Sequence, residues 1–317
     1  MTTTKTLSRI STSTLQIGFN PGQGTVVTIL LLQFCCLIRP LRISAISFLN
    51  TAPLMWDFQF PHIAREFEIS YTVPSLCAEA LRSGQADIGI IPAVTCAEIP
   101  DLAIIPDVAI ASRGPVRSIL LISKVPIENI RSVATDTSSR TSVVLCQLLL
   151  QKFLGIAPQF TPMSPDATTM LAAHDAALLI GDAALLAEHS APYVYDLAEM
   201  WLHSTRKPFV FAFWAVRKQA LADLRPGLDL ARVFQQSRDH GLEPGAMNQL
   251  CDDWSVKLGM SRDDVRSYLT KNIYYRLDPD CIEGLRLFFS LASENNLVPS
   301  PPPLEFTAEP VRSTIVS

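Results

Sequence analysis

The sequence predicts an α/β fold with two lobes, two crossing strands between them and a helical C-terminal part. Apolar segments that end at polar turns alternate with helical segments from about residue 42 to residue 216. Two continuous apolar runs, 118–123 and 209–216, begin and end the second half of this pattern. We expect the chain to cross to the second lobe on the first run and to return on the second. After Arg217 the pattern is helical alone.

Composition indicates a globular protein that can form two ordinary domains. The 317 residues are 48% hydrophobic and 18% charged, which is ample material for a core. The net charge of −4 disfavours a nucleic-acid-binding surface, because phosphate contacts need clustered Lys and Arg. The predicted parts are an N-terminal extension outside the fold (1–40), a first lobe (41–120 and 214–306), a second lobe (121–213) and a disordered tail (307–317).

The first forty residues contain an apolar run, 25–38, that follows Lys5 and Arg9. The run has the length of a signal-peptide core and is short for a membrane span. Gln33 interrupts it and no small-residue cleavage site follows. We therefore interpret 1–40 as an upstream extension and do not expect membrane contact, with a membrane tether as the alternative.

The cysteines favour a reducing compartment. There are seven, an odd number, and none has the spacing typical of zinc ligands. Cys77, Cys96 and Cys146 lie in apolar segments, where cysteine behaves as a small buried hydrophobic residue. Nothing indicates a disulfide framework, so we expect a cytoplasmic protein without a bound metal.

The first lobe begins as an alternation of strands and helices. Strands are predicted at 42–49, 67–73, 87–92 and 102–111. Ser75 is the expected N-cap of the helix after the second strand, and Gly84 ends that helix. Asn50 comes directly after the first strand, where parallel sheets collect functional groups. Capping of the turn and a ligand-facing amide are equally good interpretations of Asn50.

The second lobe and the C-terminal part continue the pattern. Further strands are predicted at 131–134, 160–162, 176–180 and 208–216. The last of these strands is apolar throughout and should be buried on both faces. Helices are predicted at 220–241, 243–258, 261–269 and 280–295. The proline run 299–303 is expected to end the fold.

A cluster of hydroxyl side chains marks a helix start after the 131–134 strand. Residues 136–145 have the sequence DTSSRTSVVL, in which one arginine and five Ser or Thr residues precede an apolar helical run. Free N–H groups at a helix start and the helix dipole favour an anion, and hydroxyls around an arginine suit a carboxylate. The chain has no GxxxxGK loop here, which disfavours a nucleoside triphosphate. A well-capped surface helix is an equally good interpretation of this segment alone.

The polar strand-to-helix turns of both lobes are expected to face one cleft, which is the default place for a small ligand. These turns are 47–51, Ser75, 112–118, 137–142 and 181–182. Asp182 is the only carboxylate that the sequence places beside such a turn. Capping of the following helix explains Asp182 at least as well as catalysis does.

Seven segments of the chain occur in the order typical of one family. They are SFLNTAPL (47–54), PSLCA (74–78), GQADIG (84–89), GPVRS (114–118), DTSSRTSV (136–143), GDAAL (181–185) and PFVFAFWA (208–215). The ordered set resembles the chorismate dehydratase family of the futalosine route to menaquinone, which has the type II periplasmic-binding-protein fold. The resemblance covers residues 42–305 and leaves the first forty without a counterpart.

The resemblance implies a hydro-lyase that converts chorismate to 3-[(1-carboxyvinyl)oxy]benzoate without a cofactor. Because the matched segments contain no histidine, the enolpyruvyl carboxylate of the substrate is expected to take the proton. Asn50 would hydrogen-bond the reacting part of the substrate, and Ser118 would hold its carboxylate or its leaving hydroxyl. Arg140 either binds a substrate carboxylate or points outward and pairs with an acidic side chain. The residues expected to bind substrate are Ser47, Thr51, Ser75, Ser138, Ser139, Arg140, Thr141, Ser142, Gly181 and Asp182.

Three other functions use the same scaffold, so the fold alone does not separate them. The nearest is 1,4-dihydroxy-6-naphthoate synthase of the same pathway. The intact 47–54 and 136–143 segments favour the dehydratase over this enzyme. A solute-binding protein for a small carboxylate would need an export signal or a lipobox, and the 25–38 run is a poor candidate. A ligand-sensing domain would need an attached DNA-binding or signalling module.

Overall fold

Two five-stranded sheets organise the described part of the chain, which is residues 39–187, 191–301 and 303–307 of a computed structural model. The strands are β1 (Leu41–Ile46), β2 (Phe67–Thr72), β3 (Ile88–Pro92), β4 (Leu102–Ser112), β5 (Ile119–Ser123), β6 (Ser132–Asp136), β7 (Gln159–Met163), β8 (Ala176–Ile180), β9 (Tyr193–Asp196) and β10 (Phe209–Arg217). The first sheet has the order β2-β1-β3-β10-β4 and the second the order β7-β6-β8-β5-β9. The α/β expectation is therefore confirmed.

The two sheets share one design. In the first, β1 is parallel to β2 and β3, whereas β10 is antiparallel to β3 and β4. In the second, β6 is parallel to β7 and β8, whereas β5 is antiparallel to β8 and β9. Each sheet thus carries one antiparallel strand that arrives from the other sheet. The carboxyl ends of its parallel strands meet at one edge, where functional groups collect.

The chain passes between the sheets twice. It leaves the first sheet after β4 and enters the second at β5, through residues 113–118. It returns to the first sheet at β10, which is buried along its whole length except at Arg217. This burial confirms the strand predicted to be covered on both faces. The exact lobe boundaries given above remain a prediction.

Eleven α-helices cover these sheets within the described residues. They are α1 (Pro61–Ala64), α2 (Pro74–Arg82), α3 (Arg140–Leu148), α4 (Ala167–Ala173), α5 (Asp182–Ala187), α6 (Leu197–Thr205), α7 (Lys218–Ala222), α8 (Leu230–Gly241), α9 (Pro244–Leu258), α10 (Arg262–Ser267) and α11 (Pro279–Glu294). Two 3₁₀ helices, Leu49–Met55 and Ala93–Ala97, come next in the chain after β1 and β3. The late helices confirm the helical C-terminal part.

Three local expectations are wrong. The helix expected at 220–241 is broken between α7 and α8, where Pro226 and Gly227 interrupt the helical conformation. α2 begins at Pro74, so Ser75 is its second residue and not its N-cap. The first strand ends at Ile46 instead of continuing to residue 49, because the chain already turns into a 3₁₀ helix.

Aromatic packing fixes α11 against the strand that returns to the first sheet. The ring of Phe209 lies 5.3 Å from that of Trp201 and 4.9 Å from that of Phe288, both in edge-to-face contact. All three side chains are buried. Such pairs add to the hydrophobic term of burial. The apolar stripe of the last helix is therefore core, as its pattern indicates.

The ends of the described chain are tied to the first sheet. Arg39 and Arg42 both bind the buried carboxylate of Asp87, at 2.8 and 2.9 Å. At the other end, the Thr307 N–H donates to the Ile104 carbonyl at 2.9 Å. Of the extension predicted at 1–40, residues 1–38 lie outside the described residues, whereas Arg39 is tied to the first sheet. Of the tail predicted at 307–317, residues 308–317 lie outside the described residues, whereas Thr307 is tied to the same sheet. Cys77, Cys96 and Cys146 are buried free thiols, as expected.

No helix in the described ranges combines the length and the apolar composition needed to cross a membrane.

One prediction concerns the contact of α8 with the 3₁₀ helix that follows β1. Gly241 packs so closely on this helix that an added Cβ would overlap the Pro53 carbonyl group. We expect Gly241→Ala to lower the free energy of unfolding by about 1–3 kcal/mol, because the backbone of neither helix can yield freely. Urea denaturation of the full chain measures this change.

Gly245→Ala is the matched control, since a Cβ at this position of α9 meets no atom within 4 Å. It should leave stability unchanged or raise it slightly. Equal stability of the two variants would show that the close approach at Gly241 does not constrain the fold.

Candidate functional site

Asn50 is held at the cleft by contacts on both of its neighbours. It lies in the 3₁₀ helix after β1, whose first N–H group, that of Leu49, donates to Asp182 Oδ1 at 3.0 Å. The hydroxyl of Thr51 donates to Asn50 Oδ1 at 3.3 Å. With its carbonyl oxygen engaged in this way, the amide nitrogen of Asn50 remains the group that can donate to a ligand.

Ser118 lies on the connection that leads into β5. The N–H groups of Val116 and Arg117 both donate to Asp196 Oδ2, at 2.8 and 2.6 Å, which fixes this connection. The carbonyl oxygen of Ser118 accepts from the Gly181 N–H at 2.8 Å. Only 1% of Ser118 is exposed. Its hydroxyl is therefore presented from a rigid backbone.

The hydroxyl cluster forms the start of α3, as the sequence predicts. Ser139 is the N-cap, but its side chain makes no capping hydrogen bond. Its hydroxyl instead lies 3.4 Å from the hydroxyl of Ser142, and both residues are buried. The helix dipole and these two hydroxyls make this start a suitable site for an anion.

Thr141, Arg140 and the backbone of Ser138 make contacts away from the cavity, whereas the buried hydroxyl of Ser138 has no hydrogen-bond partner among the described residues. Thr141 Oγ1 accepts from the Val94 N–H at 3.1 Å, and the Ser138 carbonyl accepts from the Ser75 N–H at 3.0 Å. Arg140 is more than half exposed and forms an ion pair with Glu98. Of the two orientations left open for Arg140, the structure shows the outward one.

A cavity brings the start of α3 together with Asn50 and Ser118. Its lining residues are Ile46, Phe48, Asn50, Pro74, Pro92, Ile110, Val116, Ser118, Ile119, Ser139, Ser142, Ile180, Gly181, Phe211 and Ala212. Five of the predicted site residues are among them. The remaining lining side chains are apolar, and none of the described lining residues carries a charge at neutral pH.

A second cavity adjoins the first and shares Ile46 and Phe48 with it. Ser47 and Thr51 line this second cavity and not the first. Gly181 borders the first cavity opposite Phe48, with a φ of +64°, and a Cβ there would lie 2.7 Å from the Phe48 ring. Glycine is therefore required at 181 both by its backbone conformation and by the close ring.

Asp136 is a buried carboxylate close in sequence to the start of α3, and neither Asp136 nor Asp182 lines either cavity. Asp136 ends β6 and accepts from the Ser138 N–H at 2.8 Å through Oδ1, while its Oδ2 has no hydrogen-bond partner in the described part of the chain. Burial raises the pKa of both Asp136 and Asp182.

Tyr268 lies next to Ser118 and Asn50 without lining either cavity, and the sequence interpretation missed it. It is fully buried, and its phenol oxygen lies near the side chains of Ser118 and Asn50. Burial raises the pKa of Tyr268, as does the nearby carboxylate of Asp182. In the sequence, Tyr268 is one apolar position of a helical stripe and carries no functional signal.

Within the described ranges, no group of three or more His, Cys, Asp or Glu side chains is close enough to hold a metal ion.

The fold is that of the two-lobed periplasmic-binding-protein class. A protein of Archaeoglobus fulgidus matches with a TM-score of 0.63 at 13% identity, over 82% of this chain and 99% of its own. The periplasmic aliphatic sulphonate-binding protein of Escherichia coli matches with a TM-score of 0.57 at 18% identity, over 86% of this chain and 95% of its own. At these identities the likeness is one of fold.

Sequence comparison defines the family within this class. The profile of the family described as menaquinone biosynthesis matches residues 41–294. A chorismate dehydratase of Thermus thermophilus is 30% identical over 271 residues, which are 79% of this chain and 94% of the relative. The chain belongs to the menaquinone biosynthesis family, and the resemblance of its seven segments is confirmed.

The contact between Asp182 and Leu49 generates a prediction about the carboxyl group. Asp182→Ala leaves the buried Leu49 N–H without an acceptor, and we expect it to lower the free energy of unfolding by about 1–3 kcal/mol. Asp182→Asn keeps an acceptor oxygen and removes the buried charge. It should be at least as stable as the wild type at pH 7.

The pH dependence follows from the raised pKa of Asp182. The folded protein holds this proton more tightly than the unfolded chain does, so ionisation above about pH 4 costs folding stability. The stability advantage of Asp182→Asn should therefore shrink as the pH falls toward 4. Urea denaturation between pH 4 and pH 7 measures it, and an advantage that grows on acidification would contradict the assignment.

Proposed function

We propose that the protein is a chorismate dehydratase, a carbon–oxygen lyase that removes water from chorismate to give 3-[(1-carboxyvinyl)oxy]benzoate in menaquinone biosynthesis. The observation that carries the proposal is the cavity in which Asn50, Ser118 and the start of α3 meet. The Thermus relative with the name of this enzyme supports the choice of substrate. The buried free thiols favour the cytoplasm as its location.

The cavity suits a small dicarboxylate with an apolar ring. Ser139 and Ser142 can hydrogen-bond one carboxylate at the start of α3, where the helix dipole favours a negative charge. Apolar side chains such as Phe211 and Ile119 line the walls and can pack on the ring. Arg140 takes no part in this arrangement, because it is paired with Glu98.

Water loss from chorismate breaks one C–H bond and one C–O bond and completes an aromatic ring. The driving force is therefore present in the substrate, and the protein has to position the reacting groups. No described side chain that lines the cavity is a base at neutral pH. We infer that the enolpyruvyl carboxylate of the substrate takes the proton, and that this proton leaves with the hydroxyl group as water.

Asn50 and Ser118 are the residues assigned to the reacting centre. The amide nitrogen of Asn50 donates to the reacting part of the substrate, and the Ser118 hydroxyl holds its carboxylate or its leaving hydroxyl. Both are fixed before the substrate binds, Asn50 through Thr51 and Ser118 through its backbone bond with Gly181. Donors held in this way stabilise developing charge without reorganisation.

The first test is an assay of the purified full chain with chorismate alone, followed by chromatography and mass spectrometry. We expect loss of one water and an aromatic product. Asn50→Ala and Ser118→Ala should each lower kcat by about 10²–10³-fold, the cost of losing one preorganised donor. Both variants should keep the wild-type melting temperature within a few degrees.

Two other results would reject the assignment. Chorismate that raises the melting temperature but stays unchanged would indicate a binding protein on this scaffold. If chorismate is neither bound nor turned over, the substrate of the sister naphthoate synthase is the next to assay.

A separate test distinguishes the hydroxyls at the start of α3 from the arginine beside them. Ser142→Ala and Ser139→Ala should raise KM by about 10-fold or more, the loss of one hydrogen bond to a charged group. Arg140→Gln is the matched control, and it should leave KM within about 2-fold because this exposed pair is screened by solvent. A larger rise of KM in the arginine variant would place the substrate carboxylate on Arg140 instead.

A further inference from the structure

The first cavity is shielded from solvent by nearly all of its walls. Every described residue that lines it is buried, except Phe48 and Asn50, which are partly exposed. Phe48 also lines the second cavity, as does Ile46. A ligand therefore reaches the first cavity from the side of Phe48, where the second cavity lies.

The ring of Phe48 closes this side by packing on Gly181. A Cβ added at position 181 would lie 2.7 Å from the ring, so the two residues are in direct contact. With this contact closed, water-sized molecules have about 40 Å³ in the first cavity and about 390 Å³ in the second. A single water needs about 10–15 Å³. A ring with two carboxylates can therefore enter the first cavity only when the contact opens.

The second cavity has the size and the lining of a small-ligand site. Such sites commonly enclose about 300–1,000 Å³ between apolar walls that carry a few polar groups. Trp56 and Tyr71 supply aromatic surface, and both are accessible to solvent. One wall is a single face of α9, whose lining residues recur at helical spacing. These residues are Leu250, Asp253, Trp254 and Lys257.

Lys257 offers a contact for a carboxylate in this cavity. It is the only cationic residue among the described residues that line either cavity, and Asp253 is the only acidic one. Lys257 Nζ lies 3.7 Å from the centre of the Trp254 ring, a cation–π contact that keeps the ammonium group against an aromatic wall. A ligand that combines a carboxylate with an apolar ring matches this pair of side chains.

We propose that the second cavity is an outer binding site, where a carboxylate of the incoming ring-containing dicarboxylate binds Lys257 before the ligand passes Phe48. The inference rests on the proposed dehydratase function, which makes chorismate that dicarboxylate. Lys257 does not touch the reacting atoms in this scheme. Its charge raises the rate of association, as charges beside a cleft do.

Stopped-flow tryptophan fluorescence of the full chain with chorismate tests the role of Lys257. Trp56 and Trp254 line the second cavity and report a ligand there, whereas the other two tryptophans, Trp201 and Trp214, are buried. Lys257→Gln should lower the association rate constant by about 3- to 10-fold at low ionic strength and leave kcat within about 2-fold.

The acidic residue of the same wall provides a test of opposite sign. Asp253→Asn should raise the association rate constant, because it removes a charge that repels the ligand. Both effects should largely disappear near 1 M salt, where the screening length is about 3 Å. Lys152→Gln is the matched control, since it makes the same change of charge at an exposed residue that lines neither cavity. It should stay within about 2-fold of the wild type.

The passage of the ligand past Phe48 has its own kinetic signature. The first phase of the fluorescence change should speed up in proportion to the chorismate concentration, and a slower second phase should reach a limiting rate. Phe48→Ala removes the ring that contacts Gly181. It should therefore abolish the second phase as a separate step, while the first phase keeps its dependence on Lys257 and on salt.

The outcomes separate this inference from the proposed function. If the wild type is active and Lys257→Gln associates as fast as Lys152→Gln at low ionic strength, the outer site is overturned and the dehydratase stands. A second phase that is unchanged in Phe48→Ala overturns the passage from the second cavity to the first. A wild type that binds chorismate without converting it overturns the proposed function, and the same rates still decide the outer site. A wild type that neither binds nor converts chorismate overturns both.

Discussion

A helix leaves its first backbone N–H groups without partners inside the helix, and this structure depends on where three of those groups find acceptors. Leu49, Ser75 and Val94 lie at the starts of three helices beside the first sheet, none of which has a side-chain cap of its own. Their N–H groups donate to Asp182 Oδ1, to the Ser138 carbonyl and to the Thr141 hydroxyl, at 3.0, 3.0 and 3.1 Å. All three acceptors belong to the second half of the fold. The halves are therefore joined at the cleft by helix capping, and the same contacts orient the turns that line the cavity.

The start of α3 stands apart from those three because it faces the cavity itself. Its N-cap, Ser139, makes no capping hydrogen bond, and Ser142 lines the cavity beside it. A ligand carboxylate at this position would accept hydrogen bonds at the start of α3, as Asp182 accepts one from Leu49 at the start of the 3₁₀ helix after β1. This explains why a site for a dicarboxylate can be built without a charged side chain among the described lining residues. The dipole and the hydroxyls supply the positive potential, and water is excluded by the apolar walls.

The sequence predicted the parts of this site that depend on local pattern. The hydroxyl run predicted the start of α3, which the structure shows. Asn50 was expected at a cleft and lines the cavity, although the strand before it ends earlier than predicted. The sequence left open whether Arg140 points to the ligand, because Glu98 lies 42 positions away and only the fold brings the two together. Thr141 is engaged across the cleft for the same reason. Tyr268 could not be found at all, since a buried tyrosine in a helical stripe has the same pattern whether or not it lies next to site residues.

The polar atoms of the cleft divide into those that hold the fold together and those that remain available. Asp182 and Thr141 are engaged across the cleft, and their loss would disturb the geometry before it disturbed any chemistry. The amide nitrogen of Asn50 and the hydroxyl of Ser118 are the donors that remain available among the cavity residues around β1 and β5. Donors alone cannot remove a proton from carbon, and neither Asp182 nor Asp136 lines the cavity. A reaction at this site therefore needs a base that comes with the substrate. A molecule that carries its own carboxylate, and becomes aromatic on losing water, meets that requirement, so a binding-protein scaffold needs few additional groups to act as a lyase.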